Sequence, residues 1–175
     1  MGICFIGEVP MKEFLEKRIK HKPGNIVLSP AAVGARHALR LRGQAIGTHD
    51  GLAFYTIGQR HFGMGGGLGS GDTRPLYVVA KHPKTRALVV GFEDDPLLFS
   101  KEAAVTGVNW ICQKPIFPLK CLVRLRHRQE LRECLVTKQK SGLLVTFLKP
   151  ERAVTPGQFA VFYLKGECLG GGVIK

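Results

Sequence analysis

The sequence predicts a mainly β protein, in which a small α+β central domain is followed by a six-stranded antiparallel β-barrel. One short segment near the start has the apolar spacing of an amphipathic helix, and two apolar runs joined by a turn lie between residues 76 and 91. Six short apolar runs separated by turns follow residue 96. Short strands at this spacing, with no convincing helix between them, are typical of a small barrel. The barrel strands are expected at 103–112, 119–128, 131–138, 142–148, 158–164 and 167–174.

Length and composition set the domain organisation. A chain of 175 residues with 45% hydrophobic residues is long enough for one domain or two small ones, each with a packed core. The acidic run Glu93-Asp94-Asp95 is followed by a proline and marks a plausible boundary. We therefore expect the central domain at 9–95 and the barrel at 96–175.

The central domain opens with its helix. Met11, Phe14, Leu15 and Ile19 recur at helical spacing, and Lys22-Pro23-Gly24 ends the segment. The β-prone runs of this domain are 25–28, 52–57, 76–80 and 87–91.

Three other segments of the central domain have no regular pattern. Residues 29–43 are basic and of uncertain form, and residues 44–51 are rich in turn formers. Residues 63–71 contain six glycines, which excludes a helix or strand interior and predicts a mobile loop. No G-K-[ST] follows this loop, so it does not match a phosphate-binding P-loop.

The charge balance points to a polyanionic partner. Lys and Arg number 26 against 13 Asp and Glu, giving a formal charge of +13. Nucleic acid is the first candidate, and an anionic membrane surface or plain solubility are the alternatives. No apolar run approaches the ~18 residues of a spanning helix, so no membrane-spanning segment is expected, and the preferred partner is not a membrane.

Residues 120–129 (KCLVRLRHRQ) form the most specific physical pattern. On a regular strand the alternation sends one set of side chains to a core and the other set outward. The inward set is Cys121, Val123 and Leu125, and the outward set is Arg124, Arg126 and Arg128. Three like charges at a spacing of roughly 6.5–7 Å repel one another unless a polyanion neutralises them. This row predicts nucleic-acid contact, with a solvated face paired to Glu130 and Glu133 as the alternative.

Two neighbouring polar residues are further candidates for that contact. His127 lies on the core side if the strand is regular, and it reaches a partner if the strand ends before it. The turn Thr155-Pro156-Gly157 could present the Gln158 amide to a base or sugar, and ordinary turn chemistry is the alternative.

The five cysteines stand at 4, 112, 121, 134 and 168, and none form a C-x-x-C pair, so a zinc site has little support. Cys121, Cys134 and Cys168 lie in apolar runs and are expected as small buried hydrophobes. This usage fits a reducing, cytosolic compartment. Cys4 lies at the chain start, where ends fray and a packing role is poor, and it could act as a nucleophile in its thiolate form.

Seven segments together resemble the tRNA-specific 2-thiouridylase family, enzymes that place sulfur on C2 of the wobble uridine of tRNA. They run in family order and cover nearly the whole chain. The segments are 2–8 (GICFIGE), 49–52 (HDGL), 55–60 (YTIGQR), 77–79 (YVV), 126–129 (RHRQ), 155–163 (TPGQFAVFY) and 168–172 (CLGGG).

The resemblance implies an enzyme whose N-terminal ATP pyrophosphatase domain is missing from this chain, with residues 1–8 left from it. ATP and magnesium would be bound by that domain, and ATP would adenylate uridine 34. A sulfur-relay protein or cysteine desulfurase would deliver a persulfide to Cys4, and that sulfur would reach C2. In the family, this cysteine and a first catalytic cysteine can close a disulfide during turnover. The fragment alone is expected to be inactive.

The resemblance also assigns roles to individual residues. Cys4 would be the catalytic persulfide cysteine, and the tRNA-binding residues would be Arg126, His127 and Gln158, which Arg128 joins from the arginine row. No cofactor or metal site and no DNA partner are expected in this part. A bacterial cytoplasm is the expected location, with a mitochondrial homologue as the alternative.

Two features depart from the family pattern. Family members often have tyrosine where His127 stands, and either ring could stack on RNA. The basic stretch 33–42 is longer than the family norm. Outside the family, the charge and the arginine row are also compatible with a non-enzymatic RNA-binding β-barrel module, or with a structural domain whose charge serves solubility.

Overall fold

The structure is a computed structural model that describes residues 11–32, 45–60, 74–111, 113–127 and 129–175. The predicted glycine-rich loop 63–71 and the basic stretch 33–42 lie outside these residues. The chain forms two compact units that divide between Leu98 and Phe99. The predicted boundary falls between residues 95 and 96.

The first unit is built on a four-stranded sheet. Its strands run in the order β2-β1-β4-β3, with β1 parallel to β4 and the other neighbours antiparallel. The elements are helix α1 (Met11–Glu16), strands β1 (Gly24–Leu28), β2 (Ala45–His49), β3 (Tyr77–His82) and β4 (Ala87–Gly91), and 3-10 turns at Leu52–Phe54 and Pro96–Leu98. The predicted helix is confirmed, and it ends at Glu16, before Ile19.

Strand β4 forms the centre of this sheet. Leu88 and Val90 face one apolar cluster, and Val89 packs with Val79 and Leu98 on the other face. Because both faces are covered, the strand has a continuous apolar sequence rather than an alternating one. The three predicted strands at 25–28, 76–80 and 87–91 are confirmed.

The prediction for residues 44–51 was wrong in part, because β2 lies within this turn-rich segment. In β2 only His49 is buried, and the other side chains are half-buried or exposed. An edge strand of this kind has no apolar alternation for sequence reasoning to detect.

The strand predicted at 52–57 was also wrong. The chain forms a 3-10 turn there, in which the Phe54 N–H donates to the Gly51 carbonyl at 3.1 Å and the Tyr55 N–H donates to the Leu52 carbonyl at 3.4 Å. Short apolar runs do not distinguish a strand from a turn that packs apolar side chains.

The second unit is a closed six-stranded barrel, which confirms the predicted fold class. Its strands follow the order β10-β5-β8-β7-β6-β9, and every neighbouring pair is antiparallel. They are β5 (Phe99–Trp110), β6 (Leu119–Arg124), β7 (Arg132–Gln139), β8 (Gly142–Arg152), β9 (Phe159–Leu164) and β10 (Glu167–Ile174).

Alternating side chains fill the barrel interior. Val105, Val123, Val136, Val145 and Phe162 come from five different strands, and each is fully buried. Closure leaves no free sheet edge, so the polar ends of the barrel and its connecting loops are available for binding.

Three strand ends differ from the predicted ones and shape one end of the barrel. β6 stops at Arg124 rather than at residue 128, β8 continues to Arg152, and β5 begins at Phe99. The early end of β6 places Leu125, Arg126 and His127 beyond the strand, in the connection to β7. Two of the predicted tRNA-binding residues, Arg126 and His127, therefore lie in this connection.

Candidate nucleic-acid interface

The loop after β6 is fixed by its own hydrogen bonds. Leu125 is 5% exposed, so the inward alternation predicted for this segment continues one residue beyond the strand. The Leu125 N–H donates to Gln129 Oε1 at 3.1 Å, and the Gln129 N–H donates to the Arg126 carbonyl at 3.1 Å. These bonds hold Gln129 against Leu125 and Arg126.

The predicted regular row of three arginines was wrong, because the strand ends after the first of them. Arg124 remains on the outer face of β6, whereas Arg126 is half-buried and lies against the β8–β9 connection. Arg128 lies outside the described residues. The described hydrogen bonds of Arg126 go to Gln158, Ala153 and Thr155, rather than into a solvated face.

Arg126 makes three hydrogen bonds to the segment 153–158. Its Nε donates to Gln158 Oε1 at 3.2 Å, and its Nη2 donates to the Ala153 carbonyl at 2.9 Å and to Thr155 Oγ1 at 3.1 Å. The planar guanidinium suits this convergent set of acceptors better than a lysine would. Arg126 thereby ties the two loops of this barrel end together.

Gln158 is placed by a tight turn. Its backbone N–H donates to the Thr155 carbonyl at 3.2 Å, and its carbonyl accepts from the Ile174 N–H at 2.8 Å. Gly157, with φ +88°, occupies a backbone conformation that L side chains rarely adopt. The structure thus brings Arg126 and Gln158, predicted from segments far apart in sequence, into direct contact.

The surroundings of Arg126 change its electrostatics. Burial lowers the pKa of its guanidinium, the nearby charge of Arg152 lowers it further, and Glu151 opposes both. The group stays protonated at any physiological pH. A partly desolvated cation of this kind forms stronger hydrogen bonds to phosphate or to a base than one fully in water.

The buried carboxylate of Glu151 binds residues on both sides of this loop, and sequence reasoning missed it. Glu151 is 6% exposed and accepts from Gln129 Nε2 at 2.7 Å, Arg132 Nε at 3.2 Å and the Arg152 N–H at 3.1 Å. An isolated Glu in the sequence gives no signal of this kind, because Gln129 and Arg132 are about 20 residues away in the sequence and are brought to it only by the fold. Arg132 also pairs with the exposed Glu130 at 3.2 Å.

The remaining predicted site residues fall in different places. His127 is exposed at the turn, which fits the alternative in which the strand ends before it. Cys4 lies outside the described residues. Arg128 does so as well, and no contact of either is described.

The segments 49–52 and 55–60, which carried part of the family resemblance, contact each other in the first unit. The His49 ring is edge-on to the Tyr55 ring, with centroids 5.6 Å apart, and His49 Nε2 lies 2.9 Å from the Arg86 carbonyl. The Gln59 carbonyl accepts from the Val78 N–H at 2.9 Å. The segment 55–60 is therefore tied to β3 next to the end of β2.

Two of the three described cysteines are buried, as expected, and the third is half-buried. Cys121 and Cys134 are buried across β6 and β7 with their sulfurs 3.7 Å apart, and Cys168 is half-buried. All three are free thiols. The hydrogen bond to Cys121, together with burial, raises the pKa of the Cys134 thiol.

Within the described ranges, no group of three or more His, Cys, Asp or Glu side chains is placed to hold a metal ion. None of the helices found there is long and apolar enough to cross a lipid bilayer.

Comparison with known protein families divides the chain as the structure does. Residues 12–92 match the tRNA methyl transferase PRC-barrel domain, and residues 100–174 match the aminomethyltransferase beta-barrel domain. The first range falls in the sheet unit and the second in the barrel.

Three curated bacterial relatives have the same name, tRNA-specific 2-thiouridylase MnmA. The chain is 44% identical to the protein from Coxiella burnetii strain RSA 493, over 99% of this chain and 46% of the relative. It is 40% identical to that of Legionella pneumophila strain Paris, over 99% of this chain and 46% of the relative. The Marinomonas protein is 40% identical, over 99% of this chain and 42% of the relative.

The chain thus spans less than half the length of the curated relatives it matches. Both family matches and the named relatives agree with the segments that carried the resemblance. The chain belongs to the tRNA-specific 2-thiouridylase family.

Proposed function

We propose that this chain is the tRNA-binding and persulfide-bearing part of an enzyme that replaces the C2 oxygen of uridine 34 in tRNA with sulfur. In this proposal Cys4 accepts the persulfide, and Arg126, His127, Arg128 and Gln158 contact tRNA. The contact between Arg126 and Gln158 is the observation that best supports it, since two residues predicted to bind one ligand lie 3.2 Å apart.

The charge of the barrel agrees with a polyanionic ligand. Residues 99–175 contain 13 Lys and Arg against five Asp and Glu. One of those five, Glu151, is buried and already engaged by the loop it supports. The exposed surface of the barrel is therefore more basic than the composition alone indicates, which favours RNA over a neutral or acidic partner.

The reaction requires a good leaving group and a strong nucleophile. ATP with magnesium, held in our proposal by a region outside this chain, would supply the adenylate that activates the uridine oxygen. The terminal sulfur of a Cys4 persulfide would attack the activated C2, and AMP would leave with the former C2 oxygen. A second thiol, in our proposal the first catalytic cysteine outside this chain, would then attack Cys4 Sγ, break the S–S bond, leave the sulfur on C2 and close a disulfide with Cys4. The sulfur itself would come from a sulfur-relay protein or a cysteine desulfurase, in the bacterial cytoplasm.

The tRNA-binding part of the proposal is testable on this chain. Affinity for a tRNA with unmodified uridine 34 is measured at several salt concentrations for the unmodified chain, Arg126→Ala and Lys138→Ala. Lys138 is an exposed cation at the other end of β7 and serves as the matched control for lost charge.

We expect affinity to fall steeply with salt, because phosphate contacts release counterions. Arg126→Ala should weaken binding about tenfold or more, since it removes charged hydrogen bonds and loosens two loops. Lys138→Ala should have a smaller effect. Salt-independent binding, or equal effects of the two variants, would count against the proposal.

A further inference from the structure

The outer face of β9 presents a line of apolar and aromatic side chains. Ala160 and Phe162 point into the barrel and are fully buried, so Phe159, Val161 and Tyr163 point outward. Phe159 is 61% exposed. We call Arg124, Phe159, Val161 and Tyr163 the β9 face.

An exposed phenylalanine alone is ordinary on a protein surface. The neighbours of Phe159 are what set it apart. It directly follows Gln158, whose side chain accepts the hydrogen bond from Arg126. The antiparallel register pairs Val123 with Phe162 and Arg124 with Val161, so the chain beyond Arg124 runs toward Phe159. The exposed ring therefore lies at the same end of the barrel as the Arg126–Gln158 contact.

A second cation lies within the β9 face itself. Arg124 pairs with Val161, which lies between the two outward aromatic residues. Its guanidinium carbon is 5.5 Å from the centroid of the Tyr163 ring. Its Nε is buried and has no hydrogen-bond partner among the residues that the structure describes. Arg124 is thus a cation held against an aromatic ring on the outer face of the barrel.

We propose that the β9 face binds an unpaired nucleotide of the tRNA, next to the nucleotide that reaches Arg126 and Gln158. The base stacks on Phe159, and the phosphate lies near Arg124. This inference rests on the proposed tRNA-binding function. Sheet surfaces that bind single-stranded RNA combine aromatic rings with basic side chains, because every base has a π-face and every nucleotide a phosphate. A paired base within a helix offers no free face for this stacking.

The test compares Phe159→Ala with a matched control, Leu148→Ala. Leu148 is 71% exposed on β8, which pairs with β5 and β7 and not with β9. The affinity of each variant of the full 175-residue chain is measured by titration with the same tRNA, in which uridine 34 is unmodified. Phe159→Ala should weaken binding about 5-fold to 100-fold, as for loss of one stacked base. Leu148→Ala should change it less than about 2-fold, and Phe159→Trp should preserve it.

Salt dependence separates stacking from charge. Phe159→Ala removes no cation, so the slope of log affinity against log salt should stay unchanged, whereas Arg124→Ala should lower that slope by about 1. Thermal melting shows whether each variant is folded. Phe159→Trp retains the aromatic ring and provides an independent result if the alanine variant is unstable.

The outcomes distinguish this inference from the proposed function. If Arg126→Ala weakens tRNA binding but Phe159→Ala behaves like Leu148→Ala, only the β9 inference is overturned. An equal effect of Phe159→Ala on a fully paired RNA duplex of similar length would also overturn it, because stacking requires an unpaired base. If the chain binds no tRNA and Arg126→Ala changes nothing, both proposals fail.

Discussion

The Glu151 carboxylate accepts a hydrogen bond from the Gln129 amide at 2.7 Å, which joins the end of β8 to the loop that follows β6. The same carboxylate holds Arg132. The other end of the Gln129 amide accepts the Leu125 N–H. A buried acid thus fixes the backbone that positions Arg126 and His127.

The first prediction concerns this carboxylate. Glu151→Ala should destabilise the fold by about 1–3 kcal/mol, because it leaves the half-buried Gln129 amide and the Arg152 N–H without their acceptor. Glu151→Gln should cost less, since one oxygen remains for the Gln129 amide. Chemical denaturation measures both values, and hydrogen exchange should show faster opening of residues 125–131 in the alanine variant. Equal stability of Glu151→Ala and the unmodified chain would contradict this role.

The second prediction separates geometry from charge at Arg126. Arg126→Lys keeps the cation but cannot reach Gln158, Ala153 and Thr155 together. We expect tRNA affinity to fall by about 1–2 kcal/mol while the salt slope stays close to that of the unmodified chain. If lysine restores full affinity, Arg126 contributes only its charge.

The third prediction uses the cysteines. Cys134 is buried and its thiol pKa is raised, so the thiolate that reacts with alkylating reagents is scarce in the folded chain. Raising the pH from 7 to 9 should therefore leave Cys134 unlabelled by iodoacetamide without denaturant. Cys168, which is half-buried, should react before Cys134 and serves as the internal comparison. Mass spectrometry of the peptides reads both, and rapid labelling of Cys134 in the native chain would contradict its placement.

The fourth prediction tests the β7–β8 hairpin. Gly142 has φ +141°, and a Cβ there would lie 2.2 Å from the Val105 carbonyl oxygen. Gly142→Ala should destabilise the barrel by about 1–3 kcal/mol through strain and contact. Gly166 has φ +87° but open space around its Cβ position, so Gly166→Ala reports the conformational cost alone. The denaturation midpoint should fall further for Gly142→Ala, and the reverse order would be inconsistent with this geometry.

The barrel could be predicted from the sequence because each of its strands has its own local signal. Val123 and Val136 alternate with outward residues, and turns separate the runs. Closure then follows from the number of strands and their spacing. In the first unit, β2 lacks such a signal, because it is an edge strand whose pattern resembles a turn-rich segment.

Sequence reasoning could predict which residues form the candidate site, but not how they are arranged. The resemblance supplied Arg126 and Gln158, and the fold brought them together. The alternation rule extended β6 too far, because the bonds of Gln129 to Leu125 and Arg126 end the strand, and no local pattern encodes them. Glu151 became part of the site only through its tertiary contacts with Gln129 and Arg132.

The most direct test of the central claim is the 2-thiouridine content of tRNA from cells that lack their own enzyme. The cells express the complete protein that contains this chain, unmodified, as Cys4→Ser or as Cys168→Ser. Digested tRNA is quantified by mass spectrometry, and immunoblotting confirms equal expression. We predict thiolation that is lost with Cys4→Ser and retained with Cys168→Ser. Thiolation that survives Cys4→Ser would remove this cysteine from the mechanism, and none from the well-expressed unmodified protein would contradict the proposed activity.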